Sequence, residues 1–265
     1  MQKNFSTEFV IQLFSLIIAV IIVHGVYVSI VRPNAAIIQE EQRIQVKEDP
    51  DYVPEQTFFV IIKDYEQEAC FILMLWAFAI MGYKSRSASQ ERALLGRELL
   101  PLAEGVRILP EDTREYARQL QALPDEQRGM LLPRALLGAL QRFGATRNVQ
   151  DVSSAAHTLF SSEADRLESE LSMIRYIAWA IPSVGFIGTV RGIGSALGQA
   201  HRAVEGDISG VTESLGVAFN STFIALLISI VLMFLVHQLQ LLQERLVFEA
   251  EAYLDQNLIR HLQSG

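Results

Sequence analysis

Four stretches of this chain stay apolar for long enough to leave water. The first, Phe9 to Val31, runs for 23 residues. A helix of that length spans about 30 Å of hydrocarbon at about 1.5 Å per residue. It is longer than a cleaved leader's apolar core, and no Ala-x-Ala site follows, so it reads as a retained membrane helix. The second, Ala69 to Tyr83, is 15 residues. That is short for a span, and a helix starting near Glu55 would lengthen it, with Asp64, Glu66 and Glu68 in the headgroup zone. The third and fourth, Trp179–Leu197 and Val211–Val236, are joined by the short polar loop HRAVEGDISG.

The stretches between them are polar. Residues 32–57 are acidic and punctuated by Pro33 and Pro54. Residues 84–173 balance Arg against Asp and Glu, and prolines 101, 110, 124 and 133 cut them into short helices such as Glu111–Leu123 and Arg134–Phe143. No strand alternation occurs. From Val149 one helix is predicted to start polar, turn apolar near Met173 and run on into the third apolar stretch. The tail from His237 is an amphipathic helix, suited either to a coiled contact between copies or to a solvated surface. The expected fold is therefore all-α: a polytopic membrane protein with about four transmembrane helices, the third a long helix extending into the cytoplasm. Its divisions are 1–83, two membrane helices with an external acidic loop; 84–148, a cytoplasmic helical segment; 149–236, a membrane hairpin; and 237–265, a cytoplasmic C-terminal helix.

Small residues mark one face of each hairpin helix. Pro182, Gly185, Thr189, Gly192 and Ala196 recur at steps of three and four, with Gly188 beside them. Ser214, Ala218, Thr222, Ala225 and Ser229 do the same on the fourth, flanked by Asn220 and Ser221. Such faces let backbones approach closely in a bilayer. A packed interface whose Thr bonds back to its own carbonyl is one reading; the wall of an ion path is the other. Thr189 and Thr222 lie at similar depth if the hairpin turns near Glu205. Arg191 is a charge that hydrocarbon should exclude. It can snorkel outward, pair with Glu213 across the hairpin, or face a partner. His24 reads as a packed polar residue, with a proton relay as the other role open to it.

Composition narrows the function. Hydrophobic residues are 50% of the 265, and the mean hydropathy of +0.24 is too high for an average soluble protein. A net charge of −8 disfavours nucleic acid. A single cysteine, Cys70, rules out a disulfide framework, and five scattered histidines offer no metal spacing. No cofactor, metal or nucleophile–base pair is expected, so the chain is not read as an enzyme. Residues 84–175 hold 13 Lys and Arg, whereas residues 32–68 hold 4. The positive-inside rule then puts both termini in the cytoplasm and residues 32–66 outside.

The sequence WAIPSVGFIGTVRGI, Trp179 to Ile193, resembles the signature of the MotA/TolQ/ExbB proton-channel family, whose usual form is close to P-x-x-G-L-x-G-T-V-x-G-I. Gly210-Val-Thr-Glu-Ser-Leu215 resembles that family's G-I-x-E-A-L, and Ala218-Phe-Asn-Ser-Thr222 its A-F-x-T-T. The match covers roughly residues 149–236, and four crossings look more like the flagellar stator subunit than the three-crossing members. The resemblance implies a bacterial inner-membrane ion-channel subunit, for protons or sodium. It implies a pentameric ring around a smaller single-span partner of the MotB/ExbD/TolR kind, whose membrane aspartate carries the ion. Thr189 and Thr222 would line the path, with Ser221 or Asn220 as alternates. Pro182, Gly185, Gly188, Gly192 and Ala218 would pack the helices. Arg191 departs from the family pattern, which often has an apolar residue there. Neither hairpin helix carries a mid-membrane carboxylate, and a Thr hydroxyl cannot store a proton's charge near neutral pH, which also calls for a partner. A non-conducting membrane scaffold built through the small faces is the alternative. Two such faces on one hairpin also suggest a homo-oligomer, since a monomer with two further helices would leave one unsatisfied.

Overall fold

The computed structural model describes residues 2–49, 52–100 and 106–263, with side chains from residue 9 onward; Pro101 lies outside the described residues. Among them every regular element is helical: α1 (Gln2–Val26), a π-helical turn (Tyr27–Val31), α2 (Arg32–Glu48), α3 (Phe58–Ile62), α4 (Tyr65–Leu95), α5 (Thr113–Gln121), α6 (Asp125–Arg128), α7 (Leu131–Thr146), α8 (Val149–Glu170), α9 (Ser172–Gly198), α10 (Ala200–Val204) and α11 (Ser209–Asn257). Four helical stretches are long and apolar enough to cross a membrane: Phe9–Glu48, Tyr65–Leu95, Val149–Gly198 and Ser209–His261. The chain is a multi-pass, all-α membrane protein. It divides into unit 1, Met1–Met81 with Met173–Val236, and unit 2, Gly82–Ser172 with His237–Gly265.

Unit 1 holds the apolar lengths. Its first helix does not stop at Pro33. The proline sits in the first turn of α2, and the π-helical turn before it, closed by Arg32 N–H to Tyr27 O, lets the helix run on. Asn34 Nδ2 bonds the Ile30 carbonyl at 2.7 Å. The second crossing starts at Tyr65 rather than near Glu55. The chain breaks at Lys63–Asp64, and the buried Gln67 fills the break by donating to the Ile61 carbonyl at 3.0 Å. Trp76 Nε1 donates to Gln12 O at 2.9 Å, which ties α4 to α1. The buried Cys70 contacts Ile181 O at 3.7 Å on the α9 side, as a small packing residue.

The long helix expected from Val149 is interrupted once, at Leu171, whose N–H bonds back to Glu168 at 3.1 Å. Asn148 caps its start, accepting from the Gln150 and Asp151 N–H groups. The hairpin turns where expected. Gly206 takes φ +98°, a conformation open to glycine at no steric cost, and Asp207 accepts from Ser209 N–H at 3.1 Å to start α11. The Ser209 hydroxyl, which also donates to this carboxylate, and the N–H hold the Asp207 carboxyl below its ordinary value.

In unit 2 the tail is not a solvated helix but packs within its own chain. The apolar face of α11 beyond Val236 (Val247, Ala250, Leu254) enters one core with Leu136, Leu140 and Phe143 of α7 and Phe160 of α8. After α11, Ile108 and Leu262 form a short β-bridge that fixes the chain end. Glu163 is buried on α8 and neutralised by Arg134, at 2.7 Å, and Arg166. Glu91 on α4 accepts from the Leu131 N–H, at the start of α7.

Phe143 has no exposed surface and Phe248 is 72% exposed. Phe143→Ala is expected to destabilise unit 2 by about 3–5 kcal/mol. Phe248→Ala should cost less than about 0.5 kcal/mol. Thermal unfolding of the two purified variants in mild detergent checks the difference.

Candidate functional site

The site is built on the contact between α9 and α11. Three glycines of α9 allow it. A Cβ on Gly188 would stand 2.5 Å from Ser221 Cβ, and one on Gly192 would stand 2.7 Å from the Ala218 backbone nitrogen and the Ser214 carbonyl oxygen. A Cβ on Gly185 would collide with Ala225. No side chain fits at these points, so the two backbones touch. The small face of α9 and the small face of α11 therefore cover one another inside a single chain. This corrects the expectation that two such faces leave one unsatisfied in a monomer: they are complementary halves of one interface. The apolar faces left exposed are the other ones, with Phe186, Ile187 and Val190 on α9 and Phe219, Phe223 and Ile230 on α11.

Polar groups in this interface find partners across it. Pro182 has no N–H, which leaves the Ala178 carbonyl one turn back without its helical donor. Ser229 on α11 donates to that carbonyl at 3.1 Å. Further along, Ser195 and Ser214 bond at 3.2 Å, with Gln199 donating to Ser214 at 3.0 Å. Between these levels lie Thr189 and Thr222, whose hydroxyls bond to each other. Thr189 also reaches the carbonyls of Ala218, at 3.1 Å, and Gly185, at 3.4 Å, while Thr222 reaches Gly185 O at 3.2 Å. Two hydroxyls carry two hydrogens for these four contacts, so alternative donor arrangements interconvert by hydroxyl rotation alone. The lone pairs left over can accept from a protonated carboxyl.

The two alternates lie elsewhere. Ser221 is fully buried and bonds its own helix at Val217 O, 2.8 Å away. Asn220 is 3.5 Å from the Gln56 side chain. Neither joins the hydroxyl pair.

The charges differ from the sequence expectation. Arg191 does not pair with Glu213. It forms a two-point ion pair with Glu66 of α4, at 2.6 Å and 2.8 Å. Glu213 pairs instead with Lys63 at 3.6 Å and Arg43 at 3.7 Å, and Gln39 donates to it at 3.2 Å. The reason is the position of α4. Its Glu66 side chain lies against Gly188, where a Cβ would be 3.1 Å from Glu66 Cγ, so the carboxylate meets Arg191 one turn along α9.

Two residues on, Glu68 points to the opposite side of α4. It is buried, and its two oxygens take His24 Nδ1 at 2.7 Å and Arg32. The Arg32 guanidinium also lies 4.3 Å from the Tyr65 ring centre and 5.7 Å from that of Tyr27. Residues eight apart diverge by about 80° on an α-helix. The π-helical turn adds about one residue to the intervening turns and cuts this to about 20°, so His24 and Arg32 converge on one carboxylate. Glu66, Glu68 and Arg32 were not legible as site residues. The one signal was the pair of carboxylates two apart at the start of a membrane helix, which must each find a cation on a different side. Asp64, just before this helix, is pushed above its ordinary carboxyl value by burial, against the opposing pull of Lys63 and Arg191. No group of metal-ligating side chains occurs among the described residues.

Residues 130–252 match the MotA/TolQ/ExbB proton channel family. The matched stretch is wider than the hairpin that carries the motif, reaching from α7 into the unit 2 part of α11. No curated protein and no solved structure matches the chain.

Gly188→Ala should force α9 and α11 apart and lower stability by roughly 1–3 kcal/mol. Gly194, on the same helix, is the control, because a Cβ placed there meets nothing within 4 Å. Gly194→Ala should be neutral or slightly stabilising. Thermal midpoints of the two variants, measured side by side, check this.

Proposed function

We propose, from the premise that residues 130–252 form a MotA/TolQ/ExbB proton channel family domain, that this chain is the ring-forming subunit of an ion-driven membrane motor. Copies assemble around the membrane helices of a smaller partner, and ion-motive force applied across the ring does mechanical work on that partner. A pentamer in a bacterial inner membrane, with unit 2 and both termini in the cytoplasm, is the arrangement this reading carries. The exposed apolar faces of α9 and α11, rather than the small ones, are then the surfaces open to neighbouring copies and lipid.

The observation that carries the reading is the Thr189–Thr222 hydroxyl pair, the one place in the α9–α11 contact among the described residues where two threonine hydroxyls meet. A packing interface needs small residues, and alanine would serve at either position. Two hydroxyls sharing two carbonyls with a surplus of acceptors suit a carboxyl that binds and releases a proton beside them. Neither α9 beyond Arg175 nor the membrane part of α11 beyond Glu213 holds a carboxylate, and Glu66 and Glu68 of α4 are each held by an arginine, so this reading takes the titrating group from the partner.

The test uses Thr189→Val and Thr222→Val, which keep shape and remove the hydroxyl. The full chain is purified with the membrane protein that accompanies it. Native mass measurement reads the ring, and a pH-sensitive dye in proteoliposomes reads ion flux. Both variants should assemble like wild type while flux falls at least tenfold, the scale of about 1.4 kcal/mol for a lost hydrogen bond to a buried carboxyl. Normal flux in both variants rules out the hydroxyl pair as an ion-path element. A wild-type complex that assembles and conducts nothing favours the scaffold.

A further inference from the structure

Arg191 poses a problem for any cation path in this hairpin. It lies two residues from Thr189, about 200° around α9 and therefore roughly one helix diameter, about 10 Å, from the hydroxyl pair. At that distance in a poorly polarisable interior, a lone positive charge lowers cation passage by about tenfold or more.

We infer that Glu66 is a specificity-determining residue of the ion path: its carboxylate cancels the Arg191 charge beside the Thr189–Thr222 pair, so that a cation can pass. This rests on the channel reading above. The geometry supports it in three ways. The contact is two-point, so the guanidinium is held in one plane rather than free to swing toward the path. The Glu66 side chain is 11% exposed and wedged against Gly188 on the face of α9 between Arg191 and the α11 contact. The neighbouring carboxylates are committed elsewhere, Glu213 to Lys63 and Arg43, and Glu68 to Arg32 and His24. Burial pushes the Asp64 carboxyl above its ordinary value. Glu66 is thus the carboxylate on which the neutrality of this part of α9 depends.

A charge-cancelling role makes the two partners unequal, which a mechanical strut between α4 and α9 does not. Removing the acid strands a positive charge near the path. Removing the base leaves a negative one, which favours cations. Wild type, Glu66→Gln, Arg191→Gln, the double variant and the charge swap E66R/R191E are each purified as the full chain with its partner and checked for ring mass. Proton and sodium flux are then measured in proteoliposomes under an imposed potential. Glu66→Gln should lose flux about tenfold or more, Arg191→Gln should stay within about twofold of wild type or exceed it, and the double variant should return to near wild type. Equal losses in the two single variants, with a conducting wild type, overturn this inference and leave the channel reading standing. If Glu66→Gln fails to assemble, the swap decides: conduction supports charge cancellation, and an assembled but silent swap overturns it. A silent wild type overturns the channel reading and this inference together.

Discussion

The bilayer interior offers no water to a polar group, and the arrangement of unit 1 follows from that. Each backbone or side-chain group with hydrogen-bonding capacity must meet another part of the chain. The carbonyl freed by Pro182 meets Ser229, the hydroxyl of Thr189 meets Thr222, and the carboxylates of α4 meet arginines. These contacts are possible because Gly185, Gly188 and Gly192 bring α9 and α11 into backbone contact. With side chains there, the hydroxyls would stand too far apart to serve each other.

The start of α4 acts as a charged hub for the same reason. Glu66 and Glu68 lie on opposite sides of one helix, so one faces α9 and the other faces α1 and α2. Each is neutralised by an arginine from a different helix, which fixes how these helices stand around α4. The π-helical turn belongs to this scheme. It lets a proline pass within a continuous helix and rotates Arg32 into register with His24. Breaking a buried pair by removing one member costs more than the pair contributes, because the survivor is left uncompensated.

Unit 2 is built by different physics. It has a conventional core around Phe143 and Phe160, made by packing the tail of α11 against α7 and α8. Its buried Glu163 is flanked by two arginines, as a buried carboxylate must be. Because α11 supplies both this core and the hydroxyl-bearing face of the hairpin, one continuous helix of 49 residues belongs to both units.

Apolar run length, by itself, determined the four helices long enough to cross a membrane, and small-residue spacing marked the faces of the hairpin that pack. The motif from Trp179 to Ile193 carried the resemblance to the MotA/TolQ/ExbB proton channel family, and it lies inside the matched stretch, residues 130–252. What covers each face was decided only by tertiary structure. Periodicity marks two small faces but cannot say that they are complementary halves of one interface rather than two contacts between copies. The partner of Arg191 was likewise undetermined. Glu213 is nearer in sequence, but Glu66 is nearer in space, and that depends on where α4 sits. The tail's amphipathic pattern left a contact between copies and a solvated surface both open; that its apolar face packs on α7 and α8 of its own chain is a fact of three-dimensional packing. Local pattern fixes what a segment needs, and the fold decides which segment supplies it.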